Sequence, residues 1–248
     1  MKRFLATTIL ALGVAAPAVA FDVNAMSDDE RAAFRAEIRA YLLDNPEVIM
    51  EAVEVLEQRN SAAEAANDFN LVSQYGDSIF EDGYSWVGGN PDGDVTLVEF
   101  VDYRCGYCRK AHDDVAELVN SDGNIRLIVK EFPILGEDSL LSSRYAIAVK
   151  QKHGDDAYKL AHDTLITFRG GVTDASLTSI SESLGFDAVE LLAHMNSDEV
   201  TDEIRKTRAL AQALSITGTP TFVMQDQLLR GYLPLPQMAA LVDEKRTR

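Results

Sequence analysis

Two apolar, β-branched runs, DVTLVEFV at 94–101 and IRLIVKEF at 125–132, flank a stretch with helical spacing that starts near Cys105 and reaches about Val119. Each run suits a strand buried on both faces, and strand, helix and strand in that order make a βαβ unit. The turn-rich segment GYSWVGGNPDG at 83–93 precedes it and marks the start of a domain. From about 138 to 214 the pattern is helical, with breaks at His153-Gly154, Arg169-Gly170-Gly171, Gly185 and Asn196-Ser197. Strand character returns at 221–224, a turn at Gln225-Asp226 precedes Leu228-Leu229, and 236–245 predicts a closing helix. The fold class is therefore α/β, with a βαβ half, a helical insertion and a hairpin-plus-helix half within 84–248.

The first twenty residues have a different character. Lys2 and Arg3 precede an apolar run that ends in Ala18-Val19-Ala20, the pattern of a cleavable secretory signal. A membrane anchor is the alternative, for which the run is short. Residues 21–83 predict helices: Ser27-Asp28-Asp29-Glu30 fits a capping box, and Phe34, Ile38, Tyr41 and Leu42 then share a face. Asn45-Pro46 predicts a second helix start, followed by Ile49, Ala52, Val53, Leu56, Ala63 and Ala66 on one side. Two amphipathic helices enclose no core alone, so their apolar stripes meet either the rest of the chain or another copy of it. The expectation is a homo-oligomerisation region. It holds 15 acidic and 4 basic side chains, so any assembly there is opposed by like charge and is salt-sensitive. The whole chain carries a net charge of −17, which argues against nucleic acid and anionic membrane surfaces as partners.

Cys105 and Cys108 are the only cysteines. Export to the periplasm would place them in an oxidising compartment, where such a pair forms a disulfide unless a reductant intervenes. Cys105 stands at a helix N-terminus, where unpaired amides and the dipole favour its thiolate, and Arg104, Arg109 and Lys110 add positive charge. Plainer readings compete. A structural disulfide closing so small a ring stabilises by only about 2 kcal/mol. Zinc normally takes four ligands, and the histidines at 112, 153, 162 and 194 have no matching spacing, so no metal site is expected. The reduced pair could instead hold Cu(I). A Cys-x-x-Cys beside a βαβ pattern favours thioredoxin-like redox chemistry, needing no cofactor beyond the Cys105–Cys108 pair itself.

With Cys105-Gly106-Tyr107-Cys108 after a buried strand, a helical insertion, and then Gly218-Thr219-Pro220-Thr221-Phe222, the chain resembles the DsbA-like thiol:disulfide oxidoreductases from about residue 84 onward. The resemblance implies a thioredoxin fold with an inserted helical domain. It implies a cis Pro220 facing the cysteines and a Thr219 that gives backbone hydrogen bonds to a bound peptide. An ordinary trans turn is the alternative for Thr219-Pro220.

Glu99 and Lys130 each lie inside an apolar run, where a lone charge is costly unless paired, and pairing them with each other answers both costs. Side chains that reach solvent at strand ends are the alternative. The resemblance implies a buried acid and a lysine beneath the disulfide, so Glu99 is expected to carry the proton of Cys108 with a pKa raised toward neutrality.

YLLDNPEVIMEAVEVLEQR at 41–59, ahead of CGYC, resembles the suppressor of copper sensitivity C (ScsC) branch, whose N-terminal helices assemble several catalytic domains. Gly106-Tyr107 and a threonine before the proline resemble the isomerase DsbC, not the oxidase DsbA with its Pro-His. Neither residue supplies a cationic imidazole, so a potential of roughly −200 to −120 mV is expected. The implied function is a periplasmic disulfide isomerase or reductase acting on unfolded or misoxidised exported proteins and kept reduced by a membrane thiol-redox partner. A monomeric dithiol oxidase and a Cu(I)-binding protein are the rival readings.

Overall fold

The computed structural model describes residues 25–247, so the apolar leader expected at 1–20 lies outside them. Two compact units divide between Arg59 and Asn60. Among the described residues no helix is long and apolar enough to cross a membrane.

The first unit contains α1 (Asp28–Asp44) and the leading part of α2 (Glu47–Gln74). The expected capping box closes α1: Ser27 Oγ accepts from the Glu30 amide at 3.4 Å, and the Glu30 carboxylate accepts from the Ser27 amide at 2.8 Å. The second helix starts where Asn45-Pro46 predicts, the Asn45 carbonyl accepting from the Val48 amide at 3.3 Å, but the Asn45 side chain does not cap it. The side-chain amide turns back and donates to the Tyr41 carbonyl at 2.9 Å, sealing the end of α1. No residue of α1 is buried, and Phe34, Ile38, Tyr41, Ile49, Val53 and Leu56 all stand exposed.

The second unit is built on a five-stranded sheet of order β1-β3-β2-β4-β5. Its elements are the rest of α2, α3 (Gly76–Phe80), β1 (Trp86–Gly89), β2 (Val95–Val101), α4 (Gly106–Asp122), β3 (Ile125–Glu131), α5 (Glu137–His153), α6 (Asp155–Thr167), α7 (Asp174–Leu184), α8 (Ala188–His194), α9 (Asp198–Ala213), β4 (Thr221–Met224), β5 (Gln227–Arg230) and α10 (Leu235–Thr247). Strands β2 and β3 are parallel, as a crossover through α4 requires, and the other three pairings are antiparallel. The helical breaks expected in the insertion coincide with the gaps between α5, α6, α7, α8 and α9.

Part of the segment expected to be turn is instead the edge strand β1, paired with β3. The glycines permit this: a Cβ on Gly88 would lie 2.0 Å from the Trp86 ring, so the indole folds over a bare backbone. Trp86 then stacks on Tyr158 and donates from Nε1 to the Asp155 carbonyl at 3.0 Å. The same region corrects the expected boundary at 83–84. Val72 of α2 and Ile79 of α3 join Leu210 and Ala211 of α9 in covering one face of the sheet, and Arg230 holds Asp68 through two nitrogens. Residues 60–82 therefore belong to the folded body, not to a separate helical arm and linker.

Alternation along the strands separates the two charged residues that were expected to pair. Glu99 is aligned with Val129 and Phe100 with Lys130, and successive side chains on a strand point to opposite faces. Glu99 therefore shares its face with Leu97, Val101 and Val129, whereas Lys130 lies on the face of Val98, Phe100 and Ile128. Lys130 is fully buried there. Its ammonium donates to the Asp82 carboxylate, to the Ser78 carbonyl at 3.1 Å and to Ser85 Oγ at 3.3 Å, and burial lowers its pKa against the pull of Asp82. Asp82 is held in turn by the amides of Tyr84 and Ser85. The pair fastens the chain between α3 and β1 to the underside of the sheet. Asp82→Asn should destabilise the fold by about 3–5 kcal/mol, because it leaves a buried ammonium without its counter-charge. Lys130→Met should lower the urea midpoint while leaving the Cys105 titration where it is; a shifted titration would return Lys130 to the cysteine chemistry.

Candidate active site

Strand β2 ends at Val101 and delivers the chain to Cys105 through a loop organised by Asp102. That carboxylate is completely buried and accepts from the Arg104, Ile134 and Leu135 amides and from Ser139 Oγ, all at 2.8–3.0 Å. Its own carbonyl accepts from the Cys105 amide at 3.1 Å. Asp102 was missed in the sequence, where an aspartate after a strand looks like ordinary turn chemistry. Only the fold shows that it ties the cysteine loop to the start of α5.

Cys105 is the N-cap of α4. Its sulfur accepts from the Cys108 amide at 3.4 Å and lies 3.1 Å from the Thr219 carbonyl, to which the thiol donates. The Thr219-Pro220 bond is cis, and this loop brings β4 against the cysteines across more than a hundred residues of sequence. Tyr107 projects outward, 63% exposed, and stacks on Tyr232, over which the Lys110 ammonium sits 4.4 Å from the ring centre. Gly106 precedes it with open space where a Cβ would stand. Arg104 and Arg109 reach across to the Gly170 and Phe168 carbonyls, so these cations also anchor the insertion.

The two thiols are strongly unequal. A hydrogen bond from the Cys108 thiol, with help from the Thr219 side chain and from the amides of Cys108 and Tyr107, outweighs partial burial and holds the Cys105 pKa down at about 5. Burial raises the Cys108 thiol far above the ordinary range, reinforced by its hydrogen bond to Cys105 and the nearby Glu99. Glu99 is pushed up to about 8 by burial first, then by the charges of Cys105 and Glu131. With Lys130 on the opposite face, Glu99 meets the cost of burial by keeping its proton.

A second buried carboxylate lies on the same face. Glu131 Oε1 accepts from the Tyr103 and Tyr158 hydroxyls, each at 2.6 Å, and burial raises its pKa to about 7. The Tyr103 hydroxyl also lies 3.0 Å from His162 Nδ1. Glu131 had passed as the end of an apolar run. Its alternation with Val129 was the available signal that it faces the cysteine side.

Residues 96–243 match the model of the DSBA-like thioredoxin domain, and residues 30–63 match that of the copper resistance protein ScsC N-terminal domain. With the sheet and cysteine geometry above, the chain belongs to the DsbA-like family of thiol:disulfide oxidoreductases. Within that family it is ScsC-like, having both parts. A thioredoxin-like oxidoreductase from Silicibacter pomeroyi DSS-3 is 41% identical, with 69% of this chain and 98% of that one covered and a TM-score of 0.65. The thiol-disulfide exchange protein alpha-DsbA2 from Wolbachia pipientis is 31% identical, with 74% and 97% covered and a TM-score of 0.68. Proteus mirabilis ScsC in a compact conformation is 25% identical, with 87% and 97% covered and a TM-score of 0.64. The chain spans about a quarter of the length of the Na(+)/H(+) antiporters that come first among its curated relatives.

In the reduced protein the thiolate absorbance of Cys105 should titrate with a midpoint near 5, and Cys108→Ala should move that midpoint upward by removing the largest stabilising contact. Glu99 has a separate signature in stability. Its carboxyl ionises from about 4.5 when unfolded but only near 8 when folded, so the native state binds more protons in that window and stability falls as pH rises through it. Glu99→Gln should abolish this fall, gaining on the order of a few kcal/mol over the parent at pH 8 and nothing at pH 4, as read by urea unfolding.

Proposed function

We propose that this protein reshuffles disulfides in exported proteins through the Cys105–Cys108 pair. The observation that carries the proposal is the inequality of the thiols: Cys105 is held as thiolate above about pH 5, and Cys108 is held as thiol beside a carboxyl that titrates near 8. Cys105 thiolate attacks one sulfur of a substrate disulfide, forming a mixed disulfide and releasing the other sulfur as a thiolate. That substrate thiolate can attack a further disulfide within the substrate, and a later attack on the mixed disulfide regenerates Cys105, with no net change of redox state. Alternatively Cys108 gives its proton to ionised Glu99 and attacks Cys105 Sγ. The substrate then leaves reduced, and the pair becomes the disulfide. On this reading Thr219, Pro220, Gly106 and Tyr107 border the bound peptide and Glu99 handles the proton. Lys130, on the opposite face, takes no part.

Isomerisation needs a reduced pair, so a membrane reductant in the periplasm is the implied partner. The exposed apolar side chains of α1 and the leading part of α2 support assembly of several copies, which would hold several thiols around one client. A thiol pKa near 5 lies below the value of about 7 for thioredoxin and favours the second reading, a dithiol oxidase. The test is recovery of scrambled ribonuclease by the chain from residue 21, by a form beginning at Asn60, and by Cys105→Ser. Recovery by the first alone supports an oligomeric isomerase. Fast oxidation of reduced ribonuclease with no recovery of the scrambled form assigns the oxidase direction, and recovery by Cys105→Ser overturns the mechanism. Glu99→Gln should slow resolution by Cys108 on the order of 10²-fold.

A further inference from the structure

Helix α4 places His112 one turn beyond Cys108, and α6 presents His162 and Asp163 to it across fifty residues of sequence. One donor atom from each of the three lies within 4.8 Å of the others. The histidine rings are 5.3 Å apart, and both border a cavity of about 200 Å³ that Glu99 and Trp86 also line. Asp163 Oδ1 is buried and accepts no hydrogen bond, although it lies 3.3 Å from His112 Nε2.

The tautomer of His162 is set by what lies behind it. Tyr103 donates its only hydroxyl proton to Glu131, so the Tyr103 oxygen accepts the Nδ1–H of His162 and Nε2 carries the lone pair. A carboxylate bracing a histidine through a hydrogen-bonding partner is the arrangement that fixes ring orientation and raises basicity in metal sites.

We propose that His112, His162 and Asp163 form a binding site for a divalent transition metal of the zinc type. Two imidazoles and one carboxylate are a zinc donor set with a fourth position open. Bonds of about 2.0–2.1 Å bring tetrahedral ligands to roughly 3.3 Å from one another. His162 is buried and braced, so the closure falls to His112 and Asp163, whose side chains are 17% and 39% exposed. Lys159 holds the other oxygen of Asp163, which leaves Oδ1 for the metal. The bound ion would cross-link the cysteine helix to the helical insertion.

Neither thiol belongs to the ligand set, and the cysteine variants tell the two sites apart. Zn²⁺ is titrated calorimetrically into tag-free oxidised protein, in parallel with Cys105→Ser/Cys108→Ser, His112→Ala and Asp163→Asn, each checked for its native circular dichroism. One equivalent should bind the parent and the double cysteine variant alike, and His112→Ala and Asp163→Asn should each weaken binding by roughly tenfold or more. Co²⁺ should give visible d–d bands without thiolate charge transfer. Binding of less than one equivalent, binding unchanged in either ligand variant, or binding lost with the cysteines overturns the proposal. None of these outcomes bears on disulfide exchange.

Discussion

Alternation along β2 and β3 is the constraint on which this molecule most depends. Both strands are buried on both faces, so every side chain they carry must find its environment above or below the sheet. Residues of one parity, among them Glu99 and Glu131, lie on the side of α4 and the cysteines. Those of the other, including Lys130, lie beneath α3 and α9. A shift of one residue in the pairing would exchange these faces and bring an ammonium under the thiols in place of a carboxyl.

The two faces accommodate buried charge by different physics. Beneath the sheet, Lys130 and Asp82 form an ion pair whose remaining hydrogen bonds go to Ser78, Ser85 and the nearby amides. Above it, two carboxyls without basic partners rise to about 8 and about 7. The first arrangement is static and holds the fold together. The second leaves groups that exchange protons near neutral pH beside a thiol that must lose one, so the charge left unpaired is the one suited to chemistry.

Helix α2 belongs to both units. Its trailing part packs on the sheet through Val72 and is fastened by Asp68 to Arg230, while its leading part carries exposed apolar side chains with α1. An assembly formed through the first unit would therefore be joined covalently, by one helix, to the core that supports the cysteines.

Much of this was legible in the sequence. Uninterrupted apolar runs, a Cys-x-x-Cys at a helix start, glycine breaks and a serine capping box are local signals, and β2, α4, β3, α1 and the breaks between the insertion helices follow from them. The low pKa of Cys105 is only partly local: the Cys108 thiol and the helix-start amides lie within four residues, but Thr219 arrives through the fold. What stayed hidden depends on which face a residue occupies and on what returns to meet it. Glu99 and Lys130 read as partners because each was a lone charge in an apolar run, and only the register showed them back to back. Trp86 folding over Gly88 made a strand from turn residues. His112 and His162 had no spacing to link them until α4 and α6 packed together. Sequence determines what local propensity and periodicity can encode; tertiary structure decides which buried groups share an environment, because burial and charge act through space and not along the chain.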